Sequence, residues 1–220
     1  MADWAQVDDY IAIHLIGDDP ALDATLARNA AEGLPPIDVS APQGKMLYLF
    51  ARMAGARRIL EVGTLGGYST IWLARALPGD GRLVTLELDP HHAGVARANL
   101  EQARLIERVD IRVGAAVDTL AGMTAAGEGP FDLIFIDADK PSNVAYLRAA
   151  LALSRPGTII VVDNVVREGG VLDAASTDPR ITGTRALFEA VAAEPRLSAT
   201  AVQTVGAKKW DGFLLAVVNG

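Results

Sequence analysis

FDLIFIDADK, residues 131–140, opens like the inside of a sheet and ends like a catalytic rim. Phe131, Leu133, Ile134, Phe135 and Ile136 form a nearly unbroken apolar run, and Asp137, Asp139 and Lys140 follow within four positions. A short apolar run without polar alternation reads as a strand covered on both faces, the mark of a parallel sheet flanked by helices. In such sheets ligands sit outside the carboxyl ends of the strands, near the point where the strand order reverses. Two carboxylates and an amine at one strand end therefore direct attention to that rim.

Working outward, the same alternation recurs. Buried strands are expected at 58–63 (RILEVG), 83–88 (LVTLEL), 109–113 (VDIRV) and 158–162 (TIIVV). Helices are expected between them, over about 68–77, from 90 onward, 116–123, 146–153 and 179–193. Asp89 and Pro90 give a cap and a first helical residue. The two last β segments, about 198–205 and 212–218, flank the short charged turn AKKWDG, so they must run antiparallel, since a parallel crossover needs about a dozen residues or more. Upstream, amphipathic helices over about 3–16 and 20–31 break at Gly17 and Pro20. GLPPIDVS interrupts them, and Ser40, with Gln43 three residues on, starts a further helix that stops near Gly55. The result is an α/β fold with a mostly parallel sheet and helices on both faces.

The bulk numbers narrow the function. At 220 residues, length favours one domain, and half the residues are hydrophobic. A formal charge of −7 argues against a general nucleic-acid binder, and the absence of cysteine excludes disulfides and thiolate metal sites. No run approaches the roughly 20 apolar residues that cross a bilayer, and the acidic N-terminus lacks the basic start of a signal peptide. The expectation is a soluble, cytoplasmic protein without nucleic-acid or membrane partners.

After the first strand comes Glu61-Val62-Gly63-Thr64-Leu65-Gly66-Gly67-Tyr68-Ser69. Leu65 replaces the middle glycine of a dinucleotide fingerprint, and no Gly-Lys-Ser/Thr follows to make a P-loop, so phosphates are poorly provided for. Glu61 would repel a phosphate and suit a cation. Read alone, the turn could equally be a packing device. Glu87, ending the second strand, stands where an acid meets ribose hydroxyls in this architecture. Together these suit S-adenosylmethionine, whose sulfonium and ammonium are both positive. Asp137 at one strand end and Asp163-Asn164 at the next offer hard oxygen ligands suited to Mg²⁺ or Ca²⁺, although acids in such places also serve as caps. With three histidines, two of them (His91-His92) expected on a helix surface, zinc is not indicated.

EVGTLGGYSTIWLARALPGDGRLVTLELD (61–89), FDLIFIDADK (131–140), VVDNVVR (161–167) and GAKKWDGFLLAVV (206–218) resemble the cation-dependent O-methyltransferases of the catechol and caffeoyl-CoA type, from about residue 40 to the C-terminus. The resemblance implies a single Rossmann-like domain over 1–220: a helical extension (1–40), then a seven-stranded core (41–220) ending in an antiparallel hairpin. It implies cofactor contacts from Val39, Glu61, Gly63, Thr64, Ser69, Glu87, Ala116, Asp137, Asp139 and Tyr146. It also implies a divalent ion (Mg²⁺, with Ca²⁺ or Mn²⁺ as alternatives) on Asp137, Asp163 and Asn164, and Lys140 as general base in place of a surface lysine at a helix start. The acceptor would be a small phenolic molecule with vicinal hydroxyls, and the assembly a homodimer, as relatives form. Among the first forty residues Arg28 alone is Lys or Arg, which disfavours a coenzyme A thioester. Arg167, in the 165–178 loop, borders the expected acceptor pocket. Two positions depart from the family: Asn143, where many relatives carry an aromatic residue, and Lys209, where glycine is usual. The competing readings are a nicotinamide-dependent oxidoreductase, disfavoured by Leu65 and Glu61, and a cofactor-binding module without catalysis.

Overall fold

The structure, a computed structural model, describes residues 3–220. Three helices come first: α1 (Trp4–Leu15), α2 (Pro20–Ala31) and α3 (Ala41–Met53). Asp3, Asp19 and Ser40 cap them, each accepting from a backbone N–H of the first turn. Then follow β1 (Arg58–Val62), α4 (Tyr68–Ala76), β2 (Arg82–Glu87), α5 (Pro90–Gln102), β3 (Val109–Val113) and α6 (Ala116–Ala125). The chain closes with β4 (Leu133–Ile136), α7 (Asn143–Ala152), β5 (Ile159–Asp163), α8 (Pro179–Ala192), β6 (Leu197–Gly206) and β7 (Lys209–Val218).

The seven strands form one sheet in the order β3-β2-β1-β4-β5-β7-β6. β1 through β5 run parallel, whereas β7 is antiparallel to both β5 and β6. The order reverses between β1 and β4, where Val62 pairs with Ile136, so Gly63 and Asp137 leave the sheet side by side. Alternation along the strands builds two cores. Leu60, Ile134, Ile136, Ile160 and Val162 face one layer of helices. Ile59, Leu133, Phe135 and Val161 face the other. All four β4 residues are fully buried, which holds the charged end of the strand on a rigid base.

Three expectations shift. Phe131 is buried but precedes the strand, because Asp132 turns there to accept from the Arg57 and Arg58 amides. α7 starts at Asn143, directly after a 3₁₀ turn over Lys140–Ser142. The final hairpin turns on Ala207-Lys208, since Gly206 already pairs with Lys209, and Lys209 takes φ 70° there. Trp210 and Asp211 thus belong to β7 and not to the turn.

Candidate active site

A cleft of about 1180 Å³ opens at the carboxyl ends of the strands, walled by the segment 35–39, the turn after β1 and the ends of β2, β4 and β5. The turn after β1 needs its glycines. Gly63 sits at φ 100°, and a Cβ there would collide with the Asp137 carbonyl. Gly67 opens α4 in the left-handed region at φ 84°, and no side chain caps that helix. Its first N–H groups therefore remain for a ligand.

Glu87 holds this turn from beneath. Its carboxylate accepts from the Thr64 amide (3.2 Å), the Leu65 amide (2.8 Å) and the Asp89 amide (3.0 Å), while still lining the cleft. Leu65 takes φ 49° to present its N–H to that carboxylate. Glu61 is a different case. It is fully buried, and its two oxygens accept from Ser69 Oγ (2.6 Å), Thr70 Oγ1 (2.5 Å) and Thr85 Oγ1 (2.7 Å). Burial pushes its pKa up to about 7 despite these donors. The sequence suggests that Glu61 meets a cationic ligand. The structure places it beneath the turn, with Ser69 between it and the cleft wall.

On the other side, Asp137, Lys140, Asp163 and Asn164 gather at the ends of β4 and β5 and line the same cleft. Lys140 Nζ donates to Asp137 Oδ1 at 3.0 Å, from a side chain that is 7% exposed. Burial raises the Asp163 pKa, the Asp137 charge raises it further, and Lys140, the Asn164 amide and the Gln43 side chain offset this in part. Asn164 takes φ 56°, a conformation asparagine tolerates better than most residues. Among the described residues no group of three or more His, Cys, Asp or Glu is gathered as a metal site, so any cation here would need an amide oxygen among its ligands. The oxygen trio here is two carboxylates and an amide, a set suited to a hard cation. The Asp137–Asp163 repulsion, with Lys140 the cation beside it, is what a bound divalent ion would relieve, so the residues fit such a group.

Asp139 accepts from the Tyr146 hydroxyl and from the Ser142 amide (3.2 Å). Burial acts to raise its pKa, but these donors outweigh it and hold the carboxyl below its ordinary value. Val39, Thr64, Ser69 and Ala116 also line the cleft, as does Arg167. The Arg167 loop is held by Asp211, which accepts from the Val166 (3.0 Å) and Arg167 (2.9 Å) amides. Asn143 lies elsewhere: it is buried, its amide has no partner among the described residues, and it lines no part of the cleft. Lys209 points outward, 3.9 Å from Glu168.

A family model described as O-methyltransferase matches residues 17–217. The chain belongs to the O-methyltransferase family. The catechol O-methyltransferase of Mycobacterium tuberculosis is 56% identical over 213 residues, which cover 97% of this chain and 95% of the relative. That of Niastella koreensis is 52% identical over 216 residues, 98% of each. The crystal structure of an O-methyltransferase from Bacillus cereus in complex with SAH superposes with a TM-score of 0.97 at 56% identity, covering 98% of both chains.

Several residues that line the cleft of this O-methyltransferase carry no signal along the sequence. Gln43 reads there as the partner of a helix cap, and Ser40 does accept from its amide (3.3 Å). Its side chain, however, lines the same cleft as Asp163 and helps hold that carboxyl's pKa down. Tyr68, Asp38, Lys208 and Trp210 line the cleft from four separate segments, and their convergence has no signature along the chain. No helix among the described residues is long and apolar enough to cross a membrane.

Proposed function

We propose that this O-methyltransferase transfers the methyl group of S-adenosylmethionine to one hydroxyl of a small catechol-like acceptor, with a divalent cation, Mg²⁺ foremost, on Asp137, Asp163 and Asn164. The observation that carries the reading is the juxtaposition within one cleft of Lys140, Asp137, Asp163 and Asn164 with the uncapped start of α4. The SAH bound to the Bacillus cereus relative supports the donor; it is what S-adenosylmethionine becomes after giving up its methyl group. The names of the two curated relatives support the acceptor.

When bound, S-adenosylmethionine supplies an electrophilic methyl group on a sulfonium. Asp137, Asp163 and Asn164 would hold the divalent ion, which would supply Lewis acidity that favours ionisation of one hydroxyl of a vicinal diol. Every other role falls to this chain. Glu87, anchored by the turn amides, accepts from the ribose hydroxyls. Ser69, fixed by Glu61, and Asp139, fixed by Tyr146, hold the donor's charged end. In its neutral amine form, Lys140 receives the proton of the reacting hydroxyl and becomes an ammonium beside Asp137, so that oxygen meets the methyl carbon as a nucleophile. The cleft walls align oxygen, carbon and sulfur, a proximity effect.

A labelled-methyl assay tests this with vicinal diols and matched monophenols, with and without a chelator. Diols are expected to be strongly preferred, and the chelator to abolish turnover. Lys140→Ala is expected to cost ~100-fold or more in turnover, with donor affinity kept. Equal rates for diols and monophenols, or full activity in the chelator, would overturn the reading.

A further inference from the structure

Behind the donor wall lies a buried polar relay that none of the roles above uses. Asn99 on α5 and Asn29 on α2 are both buried. Asn99 Nδ2 donates to the Gly66 carbonyl at 2.8 Å and to Asn29 Oδ1 at 3.0 Å. Asn29 Nδ2 in turn donates to Asp38 Oδ1 at 2.9 Å. The direction of the relay is fixed at both ends, because a carbonyl and a carboxylate can only accept. Each carboxamide must therefore aim its nitrogen as it does.

The two ends of the relay are parts of the cleft wall. Gly66 belongs to the turn after β1, and a Cβ there would run into the Asn29 carboxamide. The lack of a side chain at Gly66 therefore admits Asn29. Asp38 belongs to the strap 35–39, all five residues of which line the cleft. Bracing surrounds the relay. Arg28 donates to Asn99 Oδ1 (3.2 Å) and to Gln102 (2.9 Å), and His91 Nε2 lies 3.0 Å from the Glu32 carbonyl. From the far side, Lys208 in the β6–β7 turn donates to the Pro36 carbonyl (3.1 Å). The strap is thus tied at Asp38 to the donor turn and at Pro36 to the hairpin.

We propose that Asn29 and Asn99 are positioning residues that lock the strap 35–39 against the Gly-rich turn, so that the relay governs how tightly the methyl donor is held. Neither residue touches the donor. They act through Gly66 and Asp38. This rests on the reading of the protein as a user of S-adenosylmethionine. A strap held at both ends keeps Val39 and the turn at one separation. Cutting the relay leaves buried amide groups unpaired and frees the strap to move away.

Three measurements on the full chain test this: SAH affinity by calorimetry, KM and kcat in the methyl assay, and amide exchange over 34–39. Asn29→Asp sets two carboxylates against each other, one on α2 and one in the strap. It is expected to weaken SAH binding and raise donor KM about tenfold or more. It should also speed exchange in the strap and leave kcat at saturating donor within about threefold. The double variant N29D/D38N restores the relay with one bond reversed: the carboxylate placed on α2 accepts both from Asn99 and from the amide placed in the strap. It is expected to recover most of the affinity and the slow exchange. If N29D does not fold, Asn29→Ala carries the same test by deleting the bridging carboxamide at a residue outside the cleft lining. Unchanged donor affinity and strap exchange in the single variant, or no recovery in a folded double variant, would overturn the proposal. Amide exchange of the free protein needs no ligand. A wild-type chain that fails to bind SAH would therefore refute the donor reading separately.

Discussion

Glu61 and Asp163 are both carboxylates on central strands, both buried, and both driven toward the protonated form by that burial. Their surroundings differ in kind. Glu61 has three hydroxyl donors aimed at its two oxygens, all supplied by the chain. Asp163 has Asp137 for a neighbour, a like charge that adds to the penalty, and Lys140 must serve both. The fold completes the surroundings of one carboxylate and leaves those of the other to be completed from outside. The same contrast divides the cleft. The side proposed for the methyl donor is braced internally, by Glu87 under the turn and by the Asn99–Asn29–Asp38 relay behind it. The side proposed for the acceptor crowds Asp137 against Asp163, while left-handed backbone occurs on both sides, at Leu65 as well as at Asn164 and Arg167. Charge repulsion of this kind is what a bound cation would relieve.

The largest break in this contrast should come from Asp163→Asn. Loss of one charged group from the proposed metal site is expected to lower turnover at a fixed Mg²⁺ concentration by about 100-fold or more. Raising Mg²⁺ should recover part of it. In metal-free protein the same change removes the repulsion with Asp137, so the melting temperature should rise. A variant that is both inactive and less stable without metal would contradict the picture of an incomplete shell.

Glu61→Gln should behave differently, with an effect on stability that depends on pH. The unfolded chain releases this proton near pH 4.5, whereas the folded chain keeps it to about pH 7. The favourable contribution is therefore fully present below pH 4.5 and is lost as pH rises to about 7. Glutamine does not titrate. The stability of the variant relative to wild type should thus rise across that window, by at most about 3 kcal/mol. Melting curves of the metal-free proteins at pH 5 and pH 8 would show it, and an identical gap at both would rule it out. Methyl transfer should persist, with donor affinity lowered a few-fold through Ser69.

What can be read from the chain follows from how local each signal is. The strands and their order of use are legible because parallel strands buried on both faces leave continuous apolar runs, as at 133–136. That Asp137, Asp163 and Asn164 come together is legible because the architecture sends strand ends to one rim, whereas Lys140, which alone reads as a surface lysine, is singled out only by the family resemblance. The location of Glu61 is not. Its position beside Gly63 suggests a wall residue, but strand alternation turns it into the layer shared with Phe135, under Ser69 and Thr70. Gln43, Asp38 and the asparagine relay are hidden for another reason. Their partners are remote along the chain, with Asn29 joining Asp38 9 residues on and Asn99 70 residues on. Nothing in a helix of ordinary composition marks one asparagine as buried.

Asn143 marks the smallest expected effect and completes the contrast. Its amide is buried at the first residue of α7, and neither its nitrogen nor its oxygen has a partner among the described residues. Unlike Asp163, it does not line the cleft at the strand ends, and unlike Glu61 it has no donor paired with it among the described residues. Burial of an unpaired polar group is destabilising. Asn143→Leu, of similar size, should therefore stabilise the protein by about 1–3 kcal/mol, read as a rise in melting temperature. Because Lys140 stands just before this helix, turnover is the control. It should stay within about twofold if the 3₁₀ turn over Lys140–Ser142 keeps its place. A fall in melting temperature would mean that the amide is paired in solution, and a fall in turnover alone would mean that Asn143 positions Lys140. Either outcome would move Asn143 out of the class of unmet polar groups and beside Glu61, as one whose needs the fold supplies.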